Sequence, residues 1–177
     1  MTQATPTGEQ AAVQVLREQV KELERAVLVF PVLLIEALLA FSLILPFLTD
    51  TVDGEDETVN LFTFTGALLG PGSDGETDGV DMLFGIAYLV LIAVIIGTMI
   101  AVAVSLQRET SRAGRVTFAA FAGLLIAGTA GAWLTLAPTL GEYNPPTVEV
   151  ALPLLSLATV LTAVYAFLPI LRRIRER

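Results

Sequence analysis

Four long apolar runs alternate with polar stretches along the chain. They cover residues 27–48 (VLVFPVLLIEALLAFSLILPFL), 82–106, 116–137 and 148–171. A helix of about 20 apolar residues crosses roughly 30 Å of hydrocarbon, so the pattern predicts four transmembrane helices. The second run is longer than needed and is expected to tilt. Ahead of the first run, residues 1–26 are polar, but Val13, Leu16, Val20, Leu23 and Val27 recur at alternating spacings of three and four. That is an a/d seam, with mixed charges among Glu18, Lys21, Glu22 and Arg25 at helical spacing. It predicts an amphipathic helix that lies on the membrane or runs straight into the first span, or one that docks on a partner helix. Residues 172–177 form a short basic tail. The expected fold class is an all-α integral membrane protein with four transmembrane helices and an N-terminal amphipathic cytoplasmic helix.

Composition agrees with that class. The 177 residues are 54% hydrophobic, with a mean hydropathy of +0.73, above what soluble domains carry. The first run is too long for a signal peptide and no small-residue cleavage site follows it, so it is expected to be retained. No lipidation motif is present at either end. The absence of Cys and His excludes thiol chemistry, disulfides, zinc fingers and imidazole acid–base work.

Charge gives the runs a direction. All ten Lys and Arg fall in three places: Arg17, Lys21 and Arg25 before the first run, Arg108, Arg112 and Arg115 after the second, and Arg172, Arg173, Arg175 and Arg177 after the fourth. The other two loops hold no basic residue and carry acidic clusters at 50–57 and 74–81, with Glu142 and Glu149. The positive-inside rule then places both termini and the middle loop in the cytoplasm of a multi-pass cell-membrane protein. The basic residues hug helix ends, where they meet lipid headgroups, which argues against a nucleic-acid partner.

Small residues recur every four positions in the second run (Ala93, Gly97, Ala101, Ser105) and the third (Ala119, Gly123, Ala127, Gly131). A second row, Ala120, Gly128 and Ala132, flanks the latter. Such ridges permit close backbone approach in lipid, so these two helices are expected to pack on each other. Pro31, Pro46, Pro153 and Pro169 mark the ends of the first and fourth runs, where a lost donor bends a helix without breaking the span.

Chemistry has few places to reside. Glu36 lies near the middle of the first span. A charge there costs about 2.5–3.5 kcal/mol, and no other span offers a Lys, Arg or His to pair with it. It reads either as a neutral acid bonded to a hydroxyl or indole (Tyr88, Thr98, Thr129, Trp133 or Tyr165) or as a proton or cation site. Small multidrug transporters also have four spans and a glutamate in the first, but they are shorter, have little charge bias and surround that glutamate with another pattern. In the first outer loop, residues 49–81, Asp74, Glu76 and Asp78 precede Gly79 in an order that resembles the first half of an EF-hand. The bidentate position that calcium needs is occupied by Gly85, so a solvated acidic loop is the expected form. Between the acidic clusters, Leu61, Phe62, Phe64, Leu68 and Leu69 would be uncomfortable in water and are expected on the membrane interface or against another chain. In the second outer loop Tyr143 is expected at the headgroups.

No P-loop, dinucleotide fingerprint, nucleophile elbow or metal cluster is present, and no cofactor is implied. Two functions remain. One is a non-catalytic accessory or scaffold subunit of a larger membrane complex, respiratory or secretory, in contact with lipids, other subunits or copies of itself. The other is a small oligomeric proton- or cation-coupled transporter or channel component using Glu36. A membrane enzyme ranks last, because no basic residue accompanies the outer acids.

Overall fold

A computed structural model of the chain describes residues 8–52, 55–70, 79–107, 112–137 and 146–167. It is mostly helical: α1 spans Gly8–Ile44, α2 Leu61–Leu69, α3 Gly79–Gln107, α4 Arg112–Leu136 and α5 Ala151–Phe167. Three strands accompany them, β1 Pro46–Val52, β2 Glu55–Asn60 and β3 Thr147–Val148. Two helices are long and apolar enough to cross a membrane, Gly79–Val104 within α3 and Val116–Leu136 within α4. The apolar part of α1, Val29–Ile44, and all of α5 are shorter.

The amphipathic segment and the first apolar run form one continuous helix of 37 residues, about 56 Å long at 1.5 Å per residue. Pro31 therefore lies inside α1 rather than near its end. Its ring removes the hydrogen bond that the Val27 carbonyl would accept. Beyond that point α1 joins the bundle: Val32, Ile35, Leu39 and Leu43 are buried where α1 meets α5 and α3. The helix stops at Ile44, four residues short of the apolar run's end. Leu45 N–H makes the last helical-type bond, to the Phe41 carbonyl at 2.9 Å. Pro46 cannot donate the next one, and it opens a strand, a position proline tolerates.

Helices α3 and α4 pack on each other, and α4 on α5. The first contact depends on glycine. A Cβ on Gly97 would run into the Phe121 ring, and one on Gly128 would lie 2.7 Å from Leu91 Cδ1. Each glycine is thus a hole for a large side chain of the other helix. The two four-residue ladders do not meet face to face. Ala93, Gly123 and Ala127 are exposed, and a Cβ on Gly123 or Gly131 would meet open space. The close approach uses one member of the predicted α3 ladder, Gly97, and one member of the flanking α4 row, Gly128.

From the end of the first apolar run, residues 46–52 and 55–69 are folded into strands and a short helix, while the 74–78 part of the second acidic cluster lies outside the described residues. β1 and β2 form an antiparallel hairpin with Leu48↔Val59 and Thr49↔Thr58 as partners. β3 adds to the other edge of β1 through Leu48↔Val148 and Thr49↔Thr147, giving the order β2-β1-β3. The two outer loops are therefore parts of one small sheet. Glu149 N–H donates to the Phe47 carbonyl at 3.1 Å, and the Thr49 hydroxyl donates to Glu149 Oε1 at 3.0 Å. Asn60 closes β2 and caps α2. Its side chain accepts from Thr63 N–H at 2.9 Å while Thr63 Oγ1 accepts from Asn60 N–H at 2.9 Å, a reciprocal capping box. α2 then lies on α3 at a point where Gly85 gives way: a Cβ there would come within 2.8 Å of Leu69.

Candidate functional site

Under this cap the first-loop apolar residues divide. Leu61 is fully buried, and Phe64 and Leu68 pack against the core. Their partner is the chain itself. Phe64 stacks edge-on against Tyr88 of α3 with centroids 5.1 Å apart, and tilts against Phe47 of β1 at 5.4 Å. Phe47 meets Tyr88 edge-on at 5.8 Å. These three rings join strand, short helix and long helix, in the offset and edge geometries that aromatic quadrupoles favour. Only Phe62 and Leu69 of the set keep a substantial exposed surface, 48% and 37%.

Two adjoining spaces open beside the ring cluster. One, of about 460 Å³, lies beneath the cap and is lined by Leu48, Val59, Phe64, Leu68 and Tyr88, with Glu57 and Asp81 among its walls. The other, of about 410 Å³, runs between α3 and α4 past Ala87, Leu91, Ala127, Gly128 and Gly131. Phe84, Tyr88 and Thr135 line both. At this junction Tyr88 Oη and Thr135 Oγ1 are 2.7 Å apart. Thr135 Oγ1 also lies 2.9 Å from the Ala132 carbonyl oxygen, to which it can donate, and either hydroxyl can be the donor within the Tyr88–Thr135 pair.

Elsewhere the hydroxyls tie helices together or bond back to their own helix. Thr129 of α4 meets Thr159 of α5 at 2.9 Å, and Trp133 Nε1 donates to Ser156 Oγ at 2.9 Å. Ser42, Thr98 and Thr162 donate to carbonyls three or four residues earlier, which satisfies a buried hydroxyl without lining a polar path. Among the described residues no buried side-chain nitrogen or oxygen lacks a partner.

Glu36 sits on α1 beside the buried face and is itself half-buried. Of the groups expected to approach it, Tyr88, Thr98, Thr129 and Trp133 are engaged as above. Tyr165 packs edge-on against Phe118 at 5.9 Å. The acids Asp74, Glu76 and Asp78 lie outside the described residues, as do Tyr143 and the basic tail. No group of three or more metal-ligating side chains occurs among the described residues. Sequence reasoning overlooked Tyr88 as a structural centre. Its signal was an aromatic hydroxyl placed in an otherwise apolar run, a type that seeks a partner when buried. Compared with known proteins, the chain matches no family model, no curated protein and no solved structure, so its own geometry carries the functional argument.

Proposed function

We propose that this chain is a non-catalytic accessory or scaffold subunit of a larger assembly in the cell membrane, with four spans and both termini in the cytoplasm. The observation that carries this reading is the uncovered seam of α1. Val13, Leu16, Val20, Leu23 and Val27 are each between 49% and 67% exposed. They form one stripe on the half of α1 that precedes the bundle. Apolar residues at a/d spacing on a helix that no other described residue covers are the form a partner helix takes up.

Three further features support the reading. The basic residues lie at one set of loops. The two acidic loops share a sheet at the other end. Lipid-facing apolar residues such as Leu134, at 73% exposure, and Ile100, at 59%, cover α3 and α4. The transport reading rests on Glu36 alone, and the back-bonded hydroxyls give it no polar path.

Extraction of the tagged full chain in a mild detergent, followed by mass spectrometry of what co-purifies, tests the proposal. The expected result is a membrane protein recovered in fixed stoichiometry and lost when Leu16 and Leu23 are both replaced by Glu. Recovery of the chain alone, as monomer or clean homo-oligomer, overturns it.

A further inference from the structure

We propose that the joined spaces under the cap and between α3 and α4 are a binding site for a long-chain amphiphile with an ammonium head. The inference is independent of the scaffold role and rests only on the membrane placement. Together the two spaces fall in the size range of small-molecule sites, roughly 300–1,000 Å³. Their chemistry is graded. The groove between α3 and α4 is walled by Ala87, Leu91, Ala127, Gly128 and Gly131 and suits a hydrocarbon chain entering sideways from the lipid. It widens at Gly131, where a Cβ would meet nothing within 4 Å. At Tyr88 and Thr135 it joins the cap space, whose walls include the carboxylates of Glu57 on β2 and Asp81 in the first turn of α3.

The head is identified by what the site lacks and what it offers. The polar side chains at the junction and in the cap space are the carboxylates of Glu57 and Asp81 and the paired hydroxyls of Tyr88 and Thr135. No Lys or Arg occurs anywhere in the two outer loops, so an anionic head would meet only like charge, whereas an ammonium finds both charge and acceptors. The aromatic faces of Phe64 and Tyr88 beside it add a surface that cations favour.

The test uses the full chain in phosphatidylcholine nanodiscs. The probes are a long-chain alkylamine bearing a photoactivatable diazirine in its chain and the carboxylic acid of the same length. The amine is expected to label the 83–91 and 127–135 segments, at about five times the yield of the acid, the factor that one favourable contact of about 1 kcal/mol gives. Gly131→Phe fills the groove and should cut labelling about tenfold, the effect of losing about 1.4 kcal/mol of affinity. Should that variant unfold at a lower temperature, Ala127→Leu makes the same test from an exposed position. Combining Glu57→Gln with Asp81→Asn should bring the amine-to-acid ratio close to one. Labelling spread evenly over all lipid-facing helices, equal yields from amine and acid, or no response to either groove variant would each overturn the proposal. A wrong membrane placement would show separately, as recovery of the full chain in the soluble fraction rather than in membranes.

Discussion

A single hydrogen in place of a methyl group decides how α3 meets α4. Gly97 receives the Phe121 ring and Gly128 receives Leu91. Replacing either by Leu forces these large neighbours to move and should cost about 1–3 kcal/mol, the usual range for overpacking. Gly123→Ala, directed into open space, should be neutral or stabilise by up to about 1 kcal/mol, the helix-propensity difference. Denaturation of the purified chain in mixed micelles, followed by circular dichroism, measures all three. The sequence displays the four-residue spacing of the small residues but not the phase of the helix. Neighbouring rows differ by one residue, about 100° around the axis, and only the partner's bulky side chains choose between them. Hence Gly128, from the row of Ala120 and Ala132, makes the contact while Gly123 and Gly131 of the predicted ladder do not. Glu36 is the opposite case: its position was plain and its partner was not. Glu36→Gln should change the unfolding free energy by less than about 0.5 kcal/mol, as for a site outside any network. A loss of several times that would reveal a bonded partner.

At the scale of elements, the long helices could be read from apolar runs, and the cap could not. The β1–β2 hairpin is rich in Asp and Glu, residues depleted in strands, so composition pointed to a solvated loop. What fixes the hairpin is the inward set Phe47, Leu48 and Val59 and its bonds to β3, a segment 100 residues further along. Contacts of that separation leave no local trace. α2 is hidden for a related reason: its apolar sequence reads as surface for the membrane interface or another chain, whereas α3 covers part of it at Gly85. If the ring cluster is the anchor, Phe47→Ala should cost about 3–5 kcal/mol locally, the usual range for emptying a buried aromatic site. The expected signature is faster hydrogen exchange in 46–60 and 61–69, with 88–102 still protected. The uncovered half of α1 gives the complementary expectation. Leu16→Glu combined with Leu23→Glu should release the partner without shifting the melting of the bundle, because neither side chain touches it. Together these two variants separate the elements that stabilise the fold from the one that is free to recruit.

The whole molecule has two chemically different ends, and this gives its orientation a direct test. Both acidic loops meet in the β2-β1-β3 sheet, so the ends of α1 and α4 and the starts of α3 and α5 lie at one pole. The basic residues within the described helices, Arg17, Lys21 and Arg25 of α1 and Arg112 and Arg115 of α4, fall toward the other pole. With no cysteine in the chain, single substitutions at exposed positions give a clean reading. Thr58→Cys and Thr147→Cys should react with a membrane-impermeant maleimide on intact cells. Gln19→Cys and Gly114→Cys should react only after the membrane is opened. Moving two arginines from the middle loop into the 138–147 loop would then weaken the bias and yield a mixed population, because short-loop Lys and Arg set orientation. Labelling of Gln19→Cys from outside in the unaltered charge background would invert the molecule. The uncovered α1 seam would then face the wrong compartment for a cytoplasmic partner, whereas the acidic cap would meet amphiphiles of the opposite leaflet. Orientation is thus the property on which the cytoplasmic-partner reading depends, while the amphiphile site depends only on the helices lying in a membrane.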